Sequence, residues 1–543
     1  MIACWAKWPN LNTHDEFCYW LQADTFRLGR MTNPTHPHWQ HFESFHLLVQ
    51  PTYCAKYPPG YALFMVFGWQ LLGSPVAGLW LAAVCASLAT HWMLRGLMSH
   101  RWALVGSVGM SLESSLHAAW SQSYMTGWPT IVATSLLLGG LFRMRRNWSA
   151  QASIAIAMGL VGLANTRPFE GAVVSVGAFA LFAIDRLYAI QRWRLAESRL
   201  TESNKSEVSG SAYSPIPKAR ECGRVVLAGL IPLMVGAGLW CSYNQATTGS
   251  AWKMAYSLYE KQYGLVPLLL WQNAPETHPI YLHHELRRFN EEYCLGGFTS
   301  LRQFPAYVRE VFRRLVGWAF LLGLFLAALP LVTAVWWIRF RTMRAMACLL
   351  LWMSGCSLMV QWWNWHYSAT WIPVTVILAT MGLRLWLSRQ NKMTATASKP
   401  ALGTHPSRRW IQAISIVVIA QTLLSSILFS SQASEPAIHH WFLQRQEIAE
   451  RLDQNVGRHL IFVRYSKEHN LHQEWVYNSA DIDGSQVIWA RSMSSEMNEQ
   501  LMAYYPDRII WEVQPDKFGR EENGDETGHQ NVMQTKIRDR MKP

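Results

Sequence analysis

The sequence has little charge and no cysteine pattern. Only 15% of its 543 residues are charged, and its nine cysteines show neither CxxC spacing nor a Cys/His metal-ligand spacing. Neither a zinc site nor a disulfide framework is therefore predicted, and only a chance pair such as Cys18 and Cys54 stays open. Internal repeats are absent, and nothing before Asp15 resembles a signal peptide or a spanning helix.

The excess of positive charge does not indicate a nucleic-acid partner. The formal net charge is +13, but the lysines and arginines occur in short runs between apolar segments. A nucleic-acid interface would place them along one face, interleaved with aromatic residues. We therefore predict no nucleic acid and attribute the basicity to membrane topology.

Long apolar stretches are what the sequence does contain, since 50% of the residues are hydrophobic. About ten stretches approach the roughly 20 residues that a helix needs to cross a bilayer. These stretches predict a mainly α, polytopic membrane helix bundle and lie at 75–98, 102–119, 125–142, 151–166, 169–187, 224–243, 314–338, 345–363, 367–387 and 409–430.

Arginine-rich runs mark every second connection between these stretches, which the positive-inside rule places in the cytoplasm. The alternate connections and both chain ends then face outward. Because an outer N-terminal segment of some 70 residues has no visible means of export, we expect one further transmembrane helix to be missing before it. The outward connections lie at 121–124, 166–169, 243–313 and 364–366.

The predicted organisation has four parts. A helical pattern and three β-rich runs after the last apolar stretch indicate a small extracytoplasmic α/β domain, and the charged end resembles a disordered tail. The parts are a first outer loop with a juxtamembrane helix at 1–74, a transmembrane bundle at 75–432 with a cytoplasmic loop at 188–223 and an outer loop at 244–313, the α/β domain at 433–520 and the tail at 521–543.

Two polar clusters fall in the first outer loop. Asp15 and Glu16 could supply a general base or a metal ligand, although Asp15 also suits the N-terminus of a helix. Lys56 and Tyr57 precede Pro58, Pro59 and Gly60 at the start of an apolar run. A cation beside free helix N–H groups favours a phosphate, and ordinary interfacial snorkelling is the alternative.

Two more clusters fall in later outward connections. Arg167 and Glu170 are wedged between apolar stretches, where they could bind an anionic head group or simply pair with each other. His366 lies in an aromatic run that suits either a sugar cleft or an interfacial belt. Glu113 and His91 are expected inside spans, with function and helix–helix hydrogen bonding left open. Asp481 and Asp483 predict a turn rather than a calcium loop.

The order of the motifs DExxY at 15–19, KYPPG at 56–60 and RPFEG at 167–171 resembles the C-type (GT-C) superfamily of integral-membrane glycosyltransferases. The resemblance is to bacterial relatives of the aminoarabinose and protein-mannosyl transferases. It implies a polyprenyl-phosphate sugar donor, catalytic carboxylates at Asp15 and Glu16, and a carrier phosphate held by Lys56. It also implies a bacterial inner membrane with the site on the periplasmic face. The glycan, lipid or protein acceptor is not specified.

This chain departs from the superfamily in its second outer loop, where 121–128 lacks the acidic residue often found there. Dependence on a divalent metal therefore stays open, and no cofactor is certain. The predicted mechanism uses Asp15 as base, with Lys56 and Arg167 stabilising the leaving phosphate. A transporter, which should show repeats and mid-membrane charges, and a non-enzymatic envelope scaffold are the alternatives.

Overall fold

The structure, a computed structural model, describes residues 9, 11–125, 127–198, 219–323, 333–396, 441–517 and 533–535. In this part the chain is mainly helical with a small sheet region, as predicted. The first outer loop holds helix α1 and a two-stranded antiparallel ribbon, and the apolar helices follow. The elements are α1 (His14–Arg27), β1 (Leu47–Leu48), β2 (Cys54–Ala55), α2 (Gly60–Leu72), α3 (Pro75–Arg95), α4 (His100–Ser111), α5 (Ser114–Trp120), α6 (Trp128–Met144), α7 (Ala150–Thr166), α8 (Pro168–Glu197) and α9 (Ala219–Thr248).

The outer loop that follows α9 is largely helical. A π-helical turn at Phe289–Leu295 joins two of its helices, and a 3-10 turn at Trp365–Trp371 precedes the last apolar helix. The elements are α10 (Ala255–Tyr263), α11 (His284–Arg288), α12 (Gly296–Leu301), α13 (Phe304–Gly323), α14 (Arg341–Leu358) and α15 (Ile372–Thr396).

Four helices in the described ranges are long and apolar enough to cross a membrane: Pro75–Arg95, Pro168–Leu195, Arg220–Thr248 and His366–Ser388. Gly60–Leu72, Trp128–Met144 and Ala150–Thr166 are apolar but shorter. The predicted stretch at 409–430 and part of that at 314–338 lie outside the described residues. The count of about ten spans stays a prediction.

The predicted stretch at 102–119 is wrong as a single helix. The chain breaks between α4 and α5, and Glu113 stands at the break, 1% exposed, where it accepts a hydrogen bond from the Ser115 hydroxyl at 3.0 Å. His91 lies in α3, as expected, 3.4 Å from the Ser107 hydroxyl. The His91 contact therefore joins α3 to α4, whereas the Glu113 contact is local to the start of α5.

A glycine contact fixes α2 against α3. A Cβ placed on Gly68 would lie 2.0 Å from the backbone nitrogen of Gly78. The two backbones can approach this closely only because neither residue carries a side chain. Pro75, at the first position of α3, starts that helix where its missing N–H costs nothing. The contact thereby anchors α2, and with it the end of the first outer loop, to the bundle.

The C-terminal region contains the predicted α/β elements. Helix α16 (Trp441–Asp453) is followed by β3 (Arg458–Val463), β4 (Val487–Arg491), α17 (Ser495–Tyr504), β5 (Arg508–Val513) and β6 (Met533–Thr535). The strands form one sheet in the order β4-β3-β5-β6, parallel except for β6. Five consecutive buried residues in β3 are typical of a parallel strand covered on both faces. Apart from 533–535, the predicted tail lies outside the described residues.

The first outer loop and the C-terminal region share one hydrophobic core. Phe17 of α1 stacks on Tyr477 with ring centroids 4.1 Å apart. His14 is buried beside it, its Nδ1 2.8 Å from the Tyr477 hydroxyl. The two segments, predicted as separate parts, therefore pack as one unit. Other core members are Phe42, Leu47, Tyr53, Leu460, Ile461, Trp475 and Trp489.

Candidate functional site

The first turn of α1 separates its two adjacent carboxylates. The Thr13 side chain accepts a hydrogen bond from the Glu16 amide, and the Glu16 carboxylate accepts one from the Thr13 amide, which completes a capping box. The other Glu16 oxygen accepts hydrogen bonds from the Ser123 hydroxyl at 2.7 Å and the Tyr124 amide at 3.0 Å. Burial raises the pKa of Glu16 despite these hydrogen bonds. Glu16 thus joins the first outer loop to the second.

Asp15 points away from Glu16 into a polar cluster. Its Oδ1 accepts a hydrogen bond from the Tyr57 hydroxyl and lies 3.7 Å from His46 Nε2. Its Oδ2 forms no hydrogen bond with the described residues. Burial raises the pKa of Tyr57, and the Asp15 charge adds to the rise, so the phenol remains a proton donor. One Asp15 oxygen is therefore held in place while the other is available to a bound hydroxyl.

His46 connects Asp15 to the outer helices. Its backbone is left-handed, with φ 63°, an uncommon conformation for a residue other than glycine. The His46 amide donates to the Tyr259 hydroxyl at 3.0 Å, and its carbonyl accepts from the Lys56 amide at 3.1 Å. Burial, followed by the Lys56 charge, lowers the pKa of His46 well below its usual value. The imidazole beside Asp15 is therefore neutral at physiological pH.

Lys56 is buried in an aromatic cage, not extended into water as snorkelling would require. The residue is 6% exposed. Its Nζ lies 4.4 Å from the Tyr259 ring centroid, 5.1 Å from that of Tyr256 and 5.5 Å from that of Tyr57. The ammonium pairs with Glu260 at 3.2 Å. These contacts hold a cation close to Asp15, with Glu260 as its resident anion.

A row of tyrosines leads from Asp15 to Arg167. Tyr19 packs against Tyr57 at 5.1 Å and edge-on against Tyr61 at 5.2 Å between ring centroids. Arg167 Nε donates to the Tyr61 hydroxyl at 3.1 Å. Arg167 is the single residue between the C-terminal end of α7 and the N-terminal end of α8.

Arg167 contacts aromatic rings and not Glu170. Its guanidinium lies 4.5 Å from the Tyr367 ring centroid, and within the described ranges no ion pair joins it to Glu170. Glu170 lines a groove with Trp362, Trp363 and Tyr367. His366 is 4% exposed and packs edge-on against Tyr367 at 4.6 Å. Within the aromatic run, the Tyr367 ring contacts Arg167, and the His366 ring packs against Tyr367.

Tyr256 lies at the Lys56 end of the row, its ring centroid 5.1 Å from Lys56 Nζ. Burial raises the pKa of Tyr256, and the neighbouring Glu260 charge adds most to the rise. Its side chain is 37% exposed, so the Lys56 end of the row reaches the surface.

The structure brings together four of the predicted residues, Asp15, Lys56, Tyr57 and Arg167, with Glu170 nearby. Sequence analysis missed His46 and the residues of α10. The signal for α10 was available, because Tyr256, Tyr259, Glu260 and Tyr263 have the i, i+3, i+4, i+7 spacing of one helix face. No comparable pattern marks His46.

The question of a metal stays open at this site. Within the described ranges no group of three or more His, Cys, Asp and Glu side chains is placed to hold an ion. Asp481 and Asp483 form a turn, as predicted: Asp481 accepts from the Gly484 amide at 3.0 Å, and Asp483 accepts from the Tyr505 hydroxyl. Cys18 and Cys54 are free thiols.

Comparison with known proteins finds similarity in structure only. No protein-family profile and no curated protein sequence matches the chain. Among solved structures, apo ArnT from Cupriavidus metallidurans matches with a TM-score of 0.48 and 11% identity, covering 94% of this chain and 90% of that one. The chain resembles ArnT along most of its length.

Two further structures carry bound lipid phosphates. ArnT from the same organism bound to undecaprenyl phosphate matches with a TM-score of 0.43 and 12% identity, over 94% and 90% of the two chains. The oligosaccharyltransferase AglB from Archaeoglobus fulgidus, in complex with an inhibitory peptide and a dolichol-phosphate, gives 0.40 and 11%, over 93% and 66%. Both proteins are GT-C glycosyltransferases.

Proposed function

We propose that this chain is an integral-membrane glycosyltransferase that moves a sugar from a polyprenyl-phosphate carrier to an acceptor hydroxyl on the non-cytoplasmic face. The observation that carries the proposal is the cluster in which one tyrosine row joins the Asp15 carboxylate, the caged Lys56 and Arg167. Such a cluster combines a proton acceptor with two cations. These are the groups that catalyse transfer of a sugar when a phosphate is the leaving group.

The two cations suit a lipid phosphate. Lys56 and Arg167 stand at the two ends of the tyrosine row, and the proposal requires that one phosphate bound between them accept charge-assisted hydrogen bonds from both. Each such bond contributes about 1.5 to 3 kcal/mol. Both cations rest on aromatic faces, which hold them in position without neutralising them. Glu260 does neutralise Lys56, and this ion pair must break before Lys56 can bind the phosphate.

Asp15 is the proposed general base. The acceptor oxygen attacks the anomeric carbon, Asp15 takes the proton of that hydroxyl through Oδ2, and the bond from the carbon to the phosphate oxygen breaks. The electron pair leaves with the phosphate, where Lys56 and Arg167 stabilise the added charge. Tyr57 holds the carboxylate through Oδ1. For Glu16, predicted as catalytic, the contacts support a positioning role at the base of α1.

The arrangement of helix ends supports an outward-facing site. Arg167 precedes α8, whereas Asp185 in the same helix pairs with Arg145 and Arg341 from two arginine-rich connections. At a rise of 1.5 Å per residue, Arg167 and Asp185 lie about 27 Å apart, close to the thickness of a bilayer core. The arginine-rich end is cytoplasmic by the positive-inside rule. Location in the bacterial inner membrane is part of the same proposal.

Transfer from a panel of polyprenyl-phosphate sugars by the purified chain tests this function, with carrier binding measured beside it. Asp15→Asn should lower turnover roughly a hundredfold or more, in line with general-base contributions, while binding persists. Lys56→Ala should weaken carrier binding most. Asp507→Asn, at a largely exposed side chain far along the sequence, is the matched control. Normal transfer by Asp15→Asn would remove Asp15 from the mechanism.

Failure of the wild-type chain to bind any polyprenyl phosphate would overturn the proposal as a whole. Such a result would favour a scaffold. A transporter would instead move a lipid-linked or soluble solute across vesicles without transfer.

A further inference from the structure

A second cavity lies at the other end of the bundle from the tyrosine row. It encloses about 260 Å³ between α6, α8 and α14. Apolar side chains form most of its wall, and polar residues border it at one end. The wall includes Ile184, Ala345 and Cys348, and the polar end has Asp185, Arg341 and Arg344.

The polar end carries an excess of positive charge. Asp185 pairs with Arg145 at 2.9 Å and with Arg341 at 2.8 Å, and Arg186 approaches it at 3.7 Å. Arg344 is bound to the Ile338 carbonyl at 3.1 Å and is largely exposed. Three arginines thus approach one carboxylate, and Arg344 lines the same end of the cavity. Asp185 holds two of them in place but cannot balance the total, so an additional anion is favoured here.

The wall of the cavity reaches the surface of the bundle. Ile184 of α8 is 62% exposed, and Cys348 of α14 is exposed as well. An apolar chain could therefore reach the cavity from this surface. A soluble phosphate has no apolar part that could contact this wall. The combination of a basic end and an apolar wall at cytoplasmic depth suits one molecule with both parts.

We propose that this cavity binds an anionic phospholipid of the cytoplasmic leaflet, with an acyl chain between α6, α8 and α14 and its phosphate on Arg344 and Arg341. The bound lipid would stabilise the position of α8, and the N-terminal end of that helix lies next to Arg167. This site is separate from the proposed transfer site and does not depend on it. The sugar-carrying lipid is consumed at the outer end, about 27 Å away along α8.

Binding to the full-length chain in detergent tests the inference. The probes are phosphatidylglycerol and phosphatidylcholine of matched acyl chains, scored by native mass spectrometry and by the midpoint of thermal unfolding. We expect phosphatidylglycerol to bind and to raise the midpoint more than phosphatidylcholine does. Arg344→Gln should weaken phosphatidylglycerol binding roughly fivefold, the effect of one arginine near a lipid surface, and Arg146→Gln, an exposed neighbour outside the cavity, should not.

A filled cavity gives the second arm. Ala345→Phe should displace the acyl chain and lower phosphatidylglycerol binding, whereas Ala183→Phe on the exposed side of α8 should leave it unchanged. Equal binding of the two lipids would overturn the inference. So would unchanged binding by Ala345→Phe, which would assign the cavity to another segment of this chain. Because neither readout uses sugar transfer, failure here would leave the proposed function untouched.

Discussion

Glu260→Gln should tighten binding of the carrier phosphate, because it releases Lys56 from its resident anion. The two side chains are 3.2 Å apart, with Lys56 7% exposed and Glu260 34% exposed. Coulomb's law at an effective dielectric of about 20 gives roughly 5 kcal/mol as a gross figure for that separation. The partial exposure of Glu260 allows solvent to screen most of this energy, and measured pairs of this kind contribute up to about 1 kcal/mol.

Removal of that competition should lower the dissociation constant for a polyprenyl phosphate about fivefold. Titration of wild type, Glu260→Gln, Lys56→Ala and the double variant with the same carrier gives the measurement. The gain should vanish when Lys56 is already alanine, since the pair is then absent. Glu292→Gln, whose partner is Arg288 in the same outer loop, is the matched control and should leave binding unchanged. Weaker binding by Glu260→Gln, or the same gain without Lys56, would refute the competition between Glu260 and phosphate.

Three further outcomes are expected. Tyr57→Phe removes the donor to Asp15, so transfer should fall about tenfold with little change in carrier binding, as separate rate and binding assays would show. Glu16→Gln weakens the link to Ser123 and should cost about 1 to 3 kcal/mol in urea unfolding, more than it changes carrier affinity in folded protein. Burial lowers the pKa of His14 to about 3, so the folded state takes up a proton at lower pH than the unfolded state does. Stability of the unit formed by the first outer loop and the C-terminal region should therefore be full above about pH 6.5 and decrease as pH falls toward 3, measured by tryptophan fluorescence; constant stability over that range would contradict it.

The helices and strands could be predicted because their signals are local. The apolar run at 169–187 predicts the start of α8 within one residue of Pro168, and the helix continues beyond that run to Glu197. The break at Glu113 was missed because 102–119 is apolar on both sides of that single carboxylate. Hydropathy averages over a window, whereas a helix ends at one residue.

The candidate site could be predicted only where topology alone brings residues together. Asp15, Lys56 and Arg167 belong to predicted outward connections, and this prediction places them on one face. The contact of Glu260 with Lys56 depends on how a long outer loop folds back across the first one, and 204 residues separate the two in sequence. The contacts of Glu16 could not be predicted for a related reason, since its partners Ser123 and Tyr124 come from another loop. Contacts of this kind have no local signal.

The central claim is that Lys56 and Arg167 hold a lipid phosphate beside Asp15. The most direct test is an experimental structure of the chain with a polyprenyl phosphate bound. We predict that phosphate oxygens lie at hydrogen-bonding distance, about 2.7 to 3.2 Å, from Lys56 Nζ and from the Arg167 guanidinium. In that structure Glu260 is displaced from Lys56, and Asp15 Oδ2 faces the space next to the phosphate. A phosphate bound away from both cations, with the pair of Lys56 and Glu260 intact, would contradict the account.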